Sequence, residues 1–122
     1  VIELVGDLGS GKTTFVRGLA RGFGSPNRVA SPTFTLSRVY ESGNRAMHHF
    51  DFYRLHEPGH ITDELADVLD DKQNVVVIEW ADIVREVLPA RRLRIMFEHA
   101  PEGRRLTFRY PESLRYLMEA VH

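Results

Sequence analysis

A chain of 122 residues without cysteine has room for one domain with a real core but not for two, and it excludes disulfide frameworks, thiolate chemistry and the common zinc sites. Its 16 basic and 17 acidic residues leave a net charge of −1, so no global basic field holds nucleic acid, and contact with RNA would be local or made through a partner. No apolar run approaches the roughly 20 residues of a membrane span and no secretory signal precedes the domain, which sets the expectation of a soluble, cytoplasmic protein with no membrane partner.

Val1-Ile2-Glu3-Leu4-Val5 reads as a short buried strand. It runs straight into Gly6-Asp7-Leu8-Gly9-Ser10-Gly11-Lys12-Thr13, which fits G-x-x-x-x-G-K-[ST]. Glycines in such a loop let the main chain approach an anion closely, and the amides opening the next helix point at it. Lys12 supplies a mobile positive charge for the β- and γ-phosphates, and the Thr13 hydroxyl is placed to ligate Mg²⁺. Thr14 can add a further phosphate contact, so the nucleotide-binding candidates are Asp7, Leu8, Gly9, Ser10, Gly11, Lys12, Thr13 and Thr14. Lysine otherwise occurs only at Lys72, which fits a need at position 12 for a flexible point charge in place of a planar fork.

After the loop, Phe15, Val16, Leu19, Ala20 and Phe23 recur at helical spacing, and Gly24 with Ser25-Pro26 ends the helix. Ser31-Pro32-Thr33-Phe34 is a polar loop, compatible with a plain turn or with a nucleotide-sensing switch. Glu41-Ser42-Gly43-Asn44 signals a hairpin between strands 35–40 and 45–53. On the second strand His49, Asp51 and Tyr53 share one face while Phe50 and Phe52 share the other, so one face packs and the other presents chemistry. Adjacent His48 and His49 point to opposite faces, which argues against a shared metal.

Beyond Pro58-Gly59, Ile61, Leu65, Val68 and Leu69 mark an amphipathic helix whose polar side carries Asp63, Glu64, Asp67, Asp70 and Asp71. That side is a solvated face or a docking surface for a basic partner. Val75-Val76-Val77-Ile78 needs cover on both faces, as a central parallel strand does, and ends at Glu79-Trp80. A carboxylate in that place acts on Mg²⁺ in P-loop proteins, directly or through water, making Glu79 and Thr13 the metal candidates. Trp80 either closes the nucleotide site or covers the sheet end. A short helix over 83–88 stops at Pro89. Two alternating strands, 93–97 and 106–110, form a hairpin through Pro101-Glu102-Gly103. Pro111 opens a last helix with Leu114, Leu117, Met118 and Val121 on one stripe. Arg91, Arg92, Arg94, Arg104, Arg105 and Arg109 gather around this hairpin, where they could contact RNA or the nucleotide, but without interleaved exposed aromatics the pattern is better served by solvation and salt bridges.

Four blocks in this order, Gly6 to Thr14, Ser31-Pro32-Thr33-Phe34, His49-Phe50-Asp51-Phe52-Tyr53-Arg54 and Val77-Ile78-Glu79-Trp80, resemble the bacterial TsaE family over nearly the whole chain. Its members are small ATPases of the machinery that makes threonylcarbamoyladenosine at position 37 of tRNA, next to the anticodon. The resemblance implies a single P-loop NTPase-like domain over 1–122, a three-layer α/β/α fold with a mixed, mainly parallel central sheet. It also implies Mg²⁺-dependent hydrolysis of ATP, weak alone, and action with the TsaD and TsaB proteins, with tRNA engaged indirectly through that complex. By the same resemblance Lys12 holds phosphates, Thr13 and Glu79 help hold Mg²⁺, and Asp51 acts near the γ-phosphate or its attacking water. Trp80 lies close to the nucleotide, Arg54 is a candidate for stabilising charge, and the Ser31 to Phe34 loop becomes switch-like. The departure is at the N-terminus, where members carry a further segment before the first strand, near the base of the nucleotide, and this sequence opens directly on Val1-Ile2 of the strand. A small-molecule kinase and a docking module that binds ATP without essential hydrolysis are the competing readings; no Arg-rich lid or acceptor pocket favours the kinase.

Overall fold

The computed structural model describes residues 1–7, 10–24, 28–30, 37–53, 57 and 59–119. Expectations for Leu8 and Gly9, for Ser31-Pro32-Thr33-Phe34, and for Arg54 and Val121 lie outside them.

Among the described residues one sheet is built from β1 (Ile2–Val5), β2 (Arg28–Ala30), β3 (Ser37–Ser42), β4 (Arg45–Asp51), β5 (Asn74–Glu79), β6 (Leu93–Ala100) and β7 (Gly103–Arg109). Their spatial order is β2-β3-β4-β5-β1-β6-β7. The central strands β4, β5, β1 and β6 run parallel, and antiparallel neighbours flank them on both sides. This is the mixed, mainly parallel sheet expected. Parallel strands need cover on both faces, and both faces have it.

One face carries the helix α1 (Lys12–Phe23), whose Val16 and Ala20 pack with Leu4, Met47, Val77, Ile95 and Phe97. The other carries α2 (Ile61–Asp70) and a 3₁₀ helix, Ala81–Val87, over Phe50, Phe52, Leu65, Val76 and Ile78. The aliphatic run of β5 thus alternates, Val77 toward α1 and Val76 and Ile78 toward α2, because successive strand side chains point oppositely. Each large apolar side chain fully buried this way contributes about 1.5–3 kcal/mol. The carboxylates Asp63, Glu64, Asp67 and Asp70 on the far side of α2 are exposed. Among the described residues no helix is long and apolar enough to cross a membrane.

Several boundaries differ from the sequence reading. Strand β3 continues through Glu41 and Ser42, and the Ser42–Arg45 pair leaves Gly43-Asn44 alone as the turn; Gly43, at φ 61°, takes the left-handed geometry that such two-residue turns require. β4 ends at Asp51, not at Tyr53. The segment before Pro89 and the segment after Pro111 (Glu112–Met118) are both 3₁₀, a tighter winding typical of short pieces. Of the last stripe, Leu114 is buried and Met118 packs on the core, but Leu117 is exposed. The β4 face expected to carry chemistry is also core: Met47 on it is completely buried.

Candidate functional site

Three chain segments converge where the parallel strands end: the turn from β1 into α1, the end of β4 and the end of β5. In the turn, Gly6 has no room for a side chain, since a Cβ there would lie 2.9 Å from the Phe97 carbonyl oxygen and 2.9 Å from Ser10 Oγ. Gly11 caps α1 at φ 103°, a left-handed conformation that glycine adopts without strain. The Ser10 amide donates to the Asp7 carbonyl at 3.2 Å, closing the loop. Ser10 Oγ is buried with no protein partner among the described residues. An orphaned hydroxyl and a left-handed glycine at a helix N-terminus fit the cradle of an anion.

Lys12 is 5% exposed, unusual for a lysine. Its Nζ donates to the Gly6 carbonyl at 2.5 Å, lies 3.9 Å from Glu79 Oε1 and sits 4.4 Å from the centroid of the Trp80 ring. Trp80 itself has φ 59°, the one non-glycine residue with positive φ among those described. A bulky residue held there costs about 1–2 kcal/mol, so local structure has to enforce it. Tyr53 packs on the indole with ring centroids 5.0 Å apart.

Glu79 ends β5 and is 5% exposed. Its Oε2 accepts from His49 Nε2 at 2.5 Å, the donor assignment following from an ionised carboxylate having no proton to give. Asp51 pairs in register with Glu79 across β4 and β5, yet it is exposed and its Oδ1 accepts from the Tyr53 amide at 3.0 Å. Lys12, Thr13, Thr14, Asp51, Glu79 and Trp80 line one depression of about 330 Å³, joined by Gly11 and Arg104. The structure therefore gathers the candidate residues of three separate sequence blocks.

A second depression, about 410 Å³ and largely apolar, adjoins the first on the α1 side. Thr14, Phe15, Phe97, Arg104 and Leu106 line it, and Phe15 meets Phe97 edge to face at 5.5 Å. Arg104 borders both depressions; the sequence offered a nucleotide contact for its cluster only as the less favoured reading, because the pairing of β6 with β1 that brings the hairpin beside the loop is not local. His49 was missed as a site residue, although its period-2 relation to Asp51 on one strand was the available signal. Arg91, Arg92 and Arg94 behave as expected: Arg91 bonds Ser113, and the other two pair with Glu3.

The doubly covered parallel sheet and the glycine-rich turn from its first strand into a helix define a P-loop-type α/β/α domain. The family model described as "Threonylcarbamoyl adenosine biosynthesis protein TsaE" matches residues 1–107, and the chain belongs to the TsaE family. It is 42% identical over 113 residues to the tRNA threonylcarbamoyladenosine biosynthesis protein TsaE of Bacillus subtilis, a match covering 88% of this chain and 68% of that one. It is 32% identical over 108 residues to the protein of that name from Haemophilus influenzae, covering 87% and 67%. A crystal structure of YdiB from Bacillus subtilis superposes with a TM-score of 0.68 at 35% identity, over 96% of this chain and 71% of that one.

Proposed function

We propose that this chain is the ATP-binding and ATP-hydrolysing component of tRNA threonylcarbamoyladenosine biosynthesis, working in the cytoplasm with the TsaD and TsaB proteins and reaching tRNA only through them. The observation that carries this reading is the depression in which Lys12, Thr13, Asp51 and Glu79 meet. Phosphoryl transfer asks little covalent chemistry of a protein and much positioning and charge neutralisation, and these residue types supply both.

In this reading the cradle amides and Lys12 hold the phosphates, while Thr13 and Glu79 hold Mg²⁺, directly or through water. The cation, when bound, offsets the charge developing on the phosphate oxygens. Asp51, exposed at the mouth of the depression, orients the attacking water. Arg104 adds positive charge between the two depressions, and the apolar one takes the nucleoside. Lys12 has to leave Gly6 and Trp80 to reach a phosphate, so binding is coupled to rearrangement around Trp80.

Phosphate release from Mg²⁺-ATP, measured for the chain alone and with purified TsaD and TsaB, tests the proposal. Slow release alone, stimulation by the pair and loss of both in Lys12→Ala are expected. A chain that binds ATP but never releases phosphate, with or without the pair, would overturn the hydrolytic part. Repeated rounds of tRNA modification supported by a nonhydrolysable analogue would overturn the need for hydrolysis.

A further inference from the structure

His49 has no part in the reading above, yet it makes a short polar contact deep in the site. It is 8% exposed, and its Nε2 donates to Glu79 Oε2 at 2.5 Å. It reaches Glu79 from the neighbouring strand: His49 pairs in register with Val77, two residues before Glu79, so both side chains rise from the same face of the sheet. A bond to an ionised acceptor is roughly twice as strong as one between neutral groups. It also removes rotamer freedom from a side chain that would otherwise have several conformations.

The two oxygens of Glu79 are thereby made unequal. Oε2 is taken by the imidazole, whereas Oε1 faces the cradle with Lys12 Nζ 3.9 Å away. When Lys12 moves to a phosphate, Oε1 loses its nearest cation while the carboxylate stays buried. A buried charge without compensation is costly, so a cation has to take the place of the lysine. The geometry points to His49 as a positioning residue: it holds Glu79 by Oε2 so that Oε1 remains aimed at the cradle and is free to hold the hydrated divalent cation as Lys12 departs. This rests on the assignment of Glu79 to the metal made above.

The test compares nucleotide affinity with and without the cation. ADP binding is measured by calorimetry in EDTA and in Mg²⁺ for the wild type, Glu79→Gln, His49→Leu and His49→Gln, with melting temperatures to verify folding. His49→Leu removes the donor at similar volume, and His49→Gln places an amide N–H near the position of imidazole Nε2. In His49→Leu the affinity in EDTA is expected to be unchanged and the gain on adding Mg²⁺ to fall about tenfold, the usual scale for losing a group that orients a metal ligand. His49→Gln is expected to keep most of that gain. Should His49→Leu fail to fold, His49→Asn, polar but one methylene shorter than Gln, takes its place in the comparison.

A full Mg²⁺ gain in the donor-deleted variant, or an equal loss of affinity in EDTA and in Mg²⁺, would overturn the positioning role, the latter marking His49 as merely structural. Failure of His49→Gln to rescue a folded protein would do the same. If Glu79→Gln shows the wild-type gain, the metal assignment of Glu79 fails, and this inference fails with it for a separately visible reason.

Discussion

Asp51 and Glu79 stand opposite each other at the ends of two parallel neighbours, β4 and β5, but one carboxylate is exposed and the other is 5% exposed. The same register position therefore yields two chemically different acids. Asp51→Asn is expected to lower single-turnover ATP hydrolysis by about 10²-fold, the lower end for a positioned acid–base group, with nucleotide affinity nearly unchanged. Glu79→Gln is expected instead to blunt the response to Mg²⁺. Quench-flow for the first and a magnesium titration for the second separate the two roles; the same defect in both variants would show that the acids act as one unit.

Trp80 is the only tryptophan, and the Lys12 ammonium lies 4.4 Å from its ring centroid. Such a contact contributes about 0.5–2 kcal/mol depending on desolvation, and it has to break for Lys12 to reach a phosphate. Nucleotide binding is thus expected to change the fluorescence of Trp80 in the wild type. In Lys12→Ala the ligand-free spectrum is expected to differ already and to respond little to added ATP. An unchanged wild-type spectrum at saturating nucleotide would mean that Lys12 stays where it is.

Glu3 is the least expected member of the core. It sits in the middle of β1 at 1% exposure and meets Arg92 at 2.9 Å, Arg94 at 3.4 Å and Arg85 at 3.5 Å. Removing one partner of a buried ionic cluster is more damaging than never having had the cluster, because the rest stay charged. Arg85 and Arg94 are 50% and 34% exposed, so water screens part of the loss, and Glu3→Leu is expected to destabilise by about 2–3 kcal/mol. Urea denaturation measures it, and a value near zero would show that the arginines relax into solvent.

His48, half-buried on the opposite face from His49, has a pKa below its ordinary value of 6.5 because burial disfavours the imidazolium. The hydrogen bond with Asn74 and the charges of Asp71 and Glu64 act in the opposing direction but are outweighed. As pH falls through 6.5 the unfolded chain takes up this proton first, so folding stability declines from there down to the lower folded-state pKa. Above 6.5 the group contributes no slope. His48→Gln is expected to flatten the decline in melting temperature between pH 7 and pH 5; an identical profile would assign the acid sensitivity to other groups.

What was legible in the sequence was whatever depends on neighbours in the chain. The fit of Gly6 to Thr13 to a cradle, the apolar stripe of α1 ended by Gly24, and the two-sided run Val75 to Ile78 all rest on local periodicity and backbone geometry. Gly24 does end α1, in a left-handed conformation with its amide donating back into the last turn. What was not legible depends on strand order. Nothing near Arg104 indicates that β6 lies beside β1 and so carries the β6–β7 hairpin and its guanidinium to the loop, and nothing near Glu3 announces arginines arriving from 82 or more residues away. His49 falls between: its face was readable, but its partner required the β4–β5 register.

Strand β4 sends Met47 into one core, Phe50 into the other and His49 to Glu79. Because side chains alternate strictly, sliding this strand by one residue so that Phe50 stood opposite Val77 would put a phenyl ring at the carboxylate, and sliding it the other way would carry His49 into the place of Phe50 among hydrocarbon. The two cores thus act as a ratchet tooth on either side of the sheet, admitting a single alignment. Errors in strand alignment during folding would show up first as a lost His49–Glu79 contact, while helix content looked normal.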